Sequence, residues 1–251
     1  MDFPWTPEDG PQEAHARWRV ATRQLDLDHP GLYITAQKLT QSRQSLPARA
    51  MAIHDFVRRM PFAATSDGSS VRASEVLRRG AGDCHAKGVL FTALCRAAGL
   101  PARLLFVRVR TRFLHGILEG APPEMPHAVG QVHLGERWVS TDGYVVDPLL
   151  FMRAKEALVA HGNDCGWGLV RDARSTWDGA RPQLQQFRAE DVVRCHGCFH
   201  DPSQFYATQE GQSNGWLDTL KYALGAQLVN RRVAQLRRPH AQGPASRGQA
   251  A

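Results

Sequence analysis

Cys84 stands at the head of a helical run, in Gly82-Asp83-Cys84-His85-Ala86-Lys87, with His127 and Asp142 downstream in that order. A thiol on the first turn of a helix meets unpaired backbone N–H groups and the positive end of the helix dipole, and both favour thiolate over thiol. Beside a histidine oriented by a carboxylate, such a thiolate is a nucleophile for acyl transfer. The plain alternative is a buried cysteine packed at a helix start. The expected placement of the other two residues decides against it.

Three elements must position this chemistry. Residues 84–98 read as one helix, closed by Gly99 and by Pro101 two residues later. Leu90, Phe91, Leu94, Cys95 and Ala98 gather on one face, with Cys84 at its edge and His85, Thr92 and Arg96 pointing away. Cys95 falls inside the stripe and reads as inert packing. His85 is set aside as a partner because adjacent helical residues do not face each other. The base is therefore sought elsewhere. Residues 127–134 and 137–144 alternate like two strands around Gly135-Glu136, a pair suited to a type II′ turn. That register sets His133 against Trp138, Gln131 against Ser140, Val129 against Asp142 and His127 against Tyr144. Asp142 then becomes the diagonal neighbour of His127, at about 7–8 Å between backbones. A slip of one residue would put the two on opposite faces.

The motif text resembles the transglutaminase-like superfamily of papain-like thiol enzymes. Its cysteine block is matched by Ala73-Ser74-Glu75-Val76-Leu77, Gly80-Ala81-Gly82-Asp83-Cys84 and the stretch from Leu94 to Arg103. His127-Ala128 and the run from Trp138 to Asp142 match its histidine and aspartate blocks. The resemblance covers about residues 46–148. It implies an α+β papain-like core, with Cys84 as nucleophile, His127 as general base and acid, and Asp142 orienting His127. Two positions depart from the family text. Val129 replaces a usual tryptophan and Gln131 a common glutamate, and both are expected on the substrate side of the hairpin.

Composition narrows the rest. At 251 residues and 43% apolar, the chain is long enough for one substantial core. The expected organisation is a single domain over residues 1–230, with a basic helix end and disordered tail over 231–251. Arg231, Arg232, Arg237, Arg238 and Arg247 follow Asn230 with no acidic residue among them, so most of the formal charge of +7 belongs to that end. This weakens any case for nucleic-acid binding by the folded body. No apolar run approaches a membrane span, Met1-Asp2-Phe3-Pro4-Trp5 has no signal pattern, and five cysteines without framework spacing fit a reducing cytoplasm.

Elsewhere, residues 11–23, 47–60 and 148–160 read as helices, 103–109 as a strand beside the hairpin, and 115–126 as a loop placed to shape substrate access. Residues 161–212 show no clear pattern. An amphipathic helix is expected over 215–238, with Leu217, Leu220, Leu224 and Leu228 on one side. Cys195 and Cys198 form half of a common zinc pattern that His200, Cys165 or His161 could complete, but a packed pair is the preferred reading.

The expected function is thiol-dependent acyl transfer or hydrolysis on a carboxamide, peptide or isopeptide bond, through a thioester and without cofactor. The substrate is a protein, peptide or small amide. The rivals are a non-catalytic binding module of the same fold and a basic adaptor acting through the C-terminal helix. Elemental analysis of the purified protein should return no stoichiometric zinc or calcium; about one zinc per chain would shift attention to Cys195 and Cys198.

Overall fold

A computed structural model describes residues 12–208 and 216–238. Its first half is helical, and each helix start has a local cause. In α1 (Pro30–Thr40) the His29 imidazole accepts the Gly31 N–H, and in α2 (Leu46–Arg59) the Ser45 hydroxyl accepts that of Ala48. Proline stands in the first turn of both. In α3 (Ala73–Arg79) the Glu75 carboxylate reaches back to the Arg72 N–H. The fourth helix, α4 (Cys84–Ala97), is capped by Asp83 and closed by Gly99, whose φ of 79° is a left-handed turn that lets the Leu100 N–H return to Cys95 O.

Every residue of α4 from Ala86 to Arg96 is buried. The single apolar stripe therefore understates its surroundings. α1, α2 and α3 pack on one side and the sheet on the other. Arg96 is not solvated: it donates from Nε to Ala102 O at 2.8 Å and from Nη1 to Val20 O at 2.9 Å. Backbone carbonyls thus replace water around a guanidinium on the far side of a core helix.

β1 (Ala102–Arg110), β2 (Glu124–His133), β3 (Trp138–Thr141) and β6 (Val192–Phe199) form an antiparallel sheet in the order β3-β2-β1-β6. β1 is central and nearly continuously apolar because both its faces are covered. Leu104 and Phe106 meet Leu90, Phe91 and Leu94 on one face. Leu105 and Val107 meet α5 (Pro148–His161) on the other, through Leu150, Phe151, Ala154 and Leu158. A two-residue-strand hairpin, β4 (Cys165–Gly166) and β5 (Leu169–Val170), joins this second layer.

The hairpin register is the expected one from Gly130↔Thr141 to His133↔Trp138, and Gly135 has φ 91°. Past Thr141 the ladder stops. The Asp142 N–H turns to Gln183 O, the Val145 N–H returns to Asp142 O, and the expected pairs Val129 with Asp142 and His127 with Tyr144 are not made. Tyr144 instead enters the core and stacks on Phe91, with centroids 4.7 Å apart. The turn is possible because Gly143 lets Gln183 and His54 approach; a Cβ there would lie 2.1 Å from Gln183 Oε1.

β6 went unread because it is a broken edge strand. Its pairing with β1 shifts register twice, and Gly197 (φ 89°) interrupts the alternation. The short α6 (Pro202–Tyr206) follows, capped by Asp201. At the N-terminus, a 3-10 helix over Gln12–Arg19 replaces the longer helix expected, and Pro11 lies outside the described residues. α7 (Trp216–Arg237) exists, but its packed face differs from the one expected. Val229 and Val233 are buried, whereas Leu228 is 44% exposed. The side chains of Leu217, Leu220 and Leu224, and the tail after Arg238, lie outside the described residues. Among the described residues no helix is long and apolar enough to cross a membrane.

Gly130 is where helix and sheet come closest. A Cβ on it would lie 2.8 Å from Phe91 Cδ1 and Cε1 and 2.9 Å from Tyr144 Cε1. Those rings are buried and stacked, so they cannot give way cheaply. Gly130→Ala should destabilise the protein by about 1–3 kcal/mol, read as a lowered urea midpoint. An unchanged midpoint would mean that α4 and β2 are less tightly packed than described.

Candidate active site

Cys84 is the first residue of α4 and is half-buried. The Asp83 carboxylate fixes the helix start. Its Oδ1 accepts the N–H groups of His85 and Ala86 at 3.1 and 3.0 Å, while Oδ2 accepts the N–H and hydroxyl of Thr65, both at 3.2 Å. The chain before the helix is bound to the same segment: Ala63 donates to Gly82 O and Gly82 to Pro61 O. Asp83 therefore caps the helix and also ties it to Thr65, while Gly82 ties it to Pro61 and Ala63.

His127, on β2, is 1% exposed, and the ring edges of Phe187 and Phe113 pack on it at 5.0 and 6.2 Å. The β4–β5 hairpin holds Phe113 there, because Trp167 and Gly168 donate to His115 O and Phe113 O, both at 2.7 Å. His127 Nε2 lies 3.7 Å from Asp142 Oδ2. That is a close ion pair, longer than a hydrogen bond. Catalytic contacts commonly tighten only when substrate is bound. Asp142 is fully buried, and its carboxylate accepts backbone N–H groups from Gln185 (2.6 Å) and Gln186 (3.3 Å). With Nε2 turned to Asp142, Nδ1 is the nitrogen left for Cys84.

Electrostatics separates the two helix cysteines. Burial pushes the Cys84 thiol up, but the positive charges of His85 and then His127, with hydrogen bonds to both, outweigh it and bring the thiol from 9.0 to about 6. Cys95 suffers burial with nothing to offset it and is pushed far up. For His127, burial lowers the proton affinity while the Cys84 charge and Asp142 raise it, and the balance takes the imidazole up to about 10. Both shifts favour a thiolate beside an imidazolium.

His85, set aside as a partner, is hydrogen-bonded through Nδ1 to Tyr206 on α6, and against the cost of burial the Cys84 charge raises its proton affinity. Cβ atoms tilt toward a helix's N-terminus, so side chains of the first turn project past its end, and neighbours there can reach one space. Tyr206 lay in a region with no readable pattern. Lys87 ends the motif that opens at Gly82. It is fully buried, and Nζ donates to Met60 O and Val145 O, both at 2.8 Å. Burial brings its ammonium from 10.5 to about 7, opposed by the charge of Asp147. A lysine inside an apolar helical run was the available signal. It joins α4 to the end of α2 and to the turn that carries Asp142.

Val129 and Gln131 do not line an opening; both are buried. Gln131 Oε1 accepts from Arg103 at 2.8 Å, Nε2 donates to Ser140, and the Arg103 guanidinium lies 3.8 Å over the Trp138 ring. These residues stiffen the hairpin. Cys195 and Cys198 lie on β6, and Cys198 donates to Gln131 Oε1 at 3.4 Å. Among the described residues no three His, Cys, Asp or Glu side chains gather as metal ligands.

Asp142→Asn removes a charge that raises His127, so the imidazole should titrate lower by about one unit or more in histidine-resolved NMR. A midpoint that stays in place would mean that Asp142 does not control the ring.

Residues 34–143 match the family model described as "Transglutaminase-like superfamily". No curated protein matches the chain. Among solved structures, one from Cytophaga hutchinsonii described as a "putative cysteine protease" is 22% identical over 53% of this chain and 42% of that one, with a TM-score of 0.43. Another, from Parabacteroides distasonis and described as a "putative protease", is 15% identical over 50% of this chain and 26% of that one, with a TM-score of 0.36. The chain thus spans less than half the length of either. By this match, residues 34–143 are similar to the transglutaminase-like superfamily.

Proposed function

We propose that the protein is a cysteine acyltransferase or amide hydrolase acting on carboxamide, peptide or isopeptide bonds. One observation carries this reading: a thiol at a helix N-terminus, brought down to about 6 by neighbouring imidazoles, beside a buried His127–Asp142 ion pair. The superfamily match supports thiol-dependent hydrolase or transferase chemistry at that coarser level.

The Cys84 thiolate attacks the carbonyl carbon and forms a tetrahedral oxyanion. The His127 imidazolium gives its proton to the departing nitrogen, the C–N bond breaks, and a thioester remains on Cys84. His127, now neutral, takes a proton from water or an acceptor amine as that nucleophile attacks the thioester, and the thiolate leaves. Asp142 keeps the ring oriented and stabilises its charged form. The Cys84 N–H is the candidate oxyanion donor, because the Asp83 cap engages the N–H groups of His85 and Ala86. Substrates are proteins, peptides or small amides. Arg237 is engaged by Asp147 and Phe62 O, so this arginine of the basic helix end serves the fold rather than a free surface.

Intact-protein mass spectrometry with activated esters and glutamine- or lysine-linked peptides should show an acyl adduct on Cys84. Cys84→Ala should abolish the adduct and all turnover, and His127→Ala should slow turnover by about 10²–10⁴-fold. Full turnover by Cys84→Ala, or no adduct with any acyl donor, would replace this reading with that of a binding module.

A further inference from the structure

Residues 61–65 run extended beside the start of α4, and extended backbone sends the polar groups of alternate residues to opposite edges. The odd-numbered residues face the nucleophile's helix. Pro61 O accepts the Gly82 N–H at 3.3 Å, the Ala63 N–H donates to Gly82 O at 3.0 Å, and the Thr65 N–H donates to Asp83 Oδ2 at 3.2 Å. The even-numbered residues present the other edge. There the Phe62 N–H donates to Asp147 Oδ2 at 2.9 Å, and Phe62 O accepts from Arg237 at 3.1 Å. Ala64 gives its N–H to Asn230 Oδ1 at 2.8 Å, and its carbonyl accepts from Asn230 Nδ2 at 3.0 Å. Left bare, such an edge would be hydrated or would pair with another strand; here side chains take that strand's place.

Asn230 imitates a strand most closely, because a carboxamide carries the donor and the acceptor of a peptide group. It sits on α7 beside Val229 and one turn before Val233, both buried in the second core layer. Arg237, about two turns further along, also meets Asp147, the N-cap of α5. α7 lies beyond residues 34–143, the stretch similar to the transglutaminase-like superfamily, yet it reaches back to the backbone beside the nucleophile. Resting on the reading of Cys84 as the nucleophile, we infer that Asn230 is a positioning residue of the active site: by holding Ala64 from the far edge, it fixes residues 61–65 against Gly82 and Asp83, and so sets where Cys84 meets His127. The path is short. Asn230 grips Ala64, the next residue is Thr65, and Thr65 gives both its N–H and its hydroxyl to the carboxylate that caps α4 next to Cys84. The other oxygen of that carboxylate holds the N–H groups of His85 and Ala86, so a displaced Thr65 turns the first turn of the helix. Asn230 is neutral and acts through geometry; the charges around that edge belong to Arg237, Asp147, Arg58 and Lys87.

Asn230→Leu keeps the size of the side chain and its lack of charge but removes both hydrogen bonds. In the full chain it should raise the midpoint of the pH profile for iodoacetamide alkylation of Cys84 by at least about half a unit, which is about threefold less thiolate below the midpoint. It should also speed hydrogen exchange at the Thr65, His85 and Ala86 amides, whose acceptor, Asp83, is left intact. Asn230→Ala, a good helix former with no clash, should move both readouts the same way and serves if Asn230→Leu does not fold. Val233→Ala separates positioning from stability: it opens a cavity under α7 and should lower the thermal midpoint without moving the Cys84 profile. A profile and amide exchange that stay at wild-type values in the Asn230 variants, or that move as far in Val233→Ala, would overturn this inference alone. A wild-type Cys84 titrating like an ordinary thiol would overturn the nucleophile reading and this one with it.

Discussion

A carboxylate sealed from water must be met by donors or by an opposite charge, and the arrangement around Asp142 follows from that requirement. Its side chain is fully buried. Two backbone N–H groups, from Gln185 and Gln186, and the His127 imidazole 3.7 Å away supply what water would have. To deliver those N–H groups, the segment after β5 must cross beside the end of β3, and Gln183 exchanges backbone hydrogen bonds with Ser140 and Asp142 as it does so. The same segment places Phe187 against the His127 ring. Leaving one member of a buried charge pair alone costs about 3–5 kcal/mol, so His127 and Asp142 hold each other's position as much as they prepare chemistry.

At Cys84 two effects oppose one another and their balance sets reactivity. Burial disfavours the thiolate, and in Cys95, eleven residues along the same helix, that effect acts unopposed. At the helix start, two imidazoles reverse the outcome. Position on the helix thus separates an acidic thiol from a packing residue. Holding that position takes more than a cap. Asp83 and Gly82 bind the helix start to Pro61, Ala63 and Thr65, and Asn230 of α7 grips the same segment through both the N–H and the carbonyl of Ala64. Lys87 fastens the first turns to Met60 and Val145.

Much of this could be read from residue order, and the failures have physical causes. The hairpin register was legible because a two-residue turn with glycine first leaves only one pairing, and Gln131↔Ser140 and His133↔Trp138 follow from it. What lay beyond Thr141 was not, because the ladder ends where Gly143 permits a turn, and no strand periodicity announces that. Asp142 meets His127 through this turn rather than across a ladder. The boundaries of α4 were written in Asp83, Gly99 and Pro101, whereas its burial on all sides depends on helices far away in sequence, α1 among them, which went unread. Tyr206, the hydrogen-bond partner of His85, was not legible because it follows an edge strand whose bulges hide it.

The central claim is that Cys84 is a thiolate under conditions in which Cys95 and Cys165 are thiols. Alkylation of the native protein with a limiting amount of iodoacetamide at about pH 7, mapped by peptide mass spectrometry, tests it directly. Cys84 should be modified at least about tenfold faster than Cys95, Cys165, Cys195 or Cys198, with its rate falling only as pH drops through about 6. Modification of Cys84 no faster than that of Cys195 or Cys198, with a rate that rises only through the ordinary thiol range, would contradict the account.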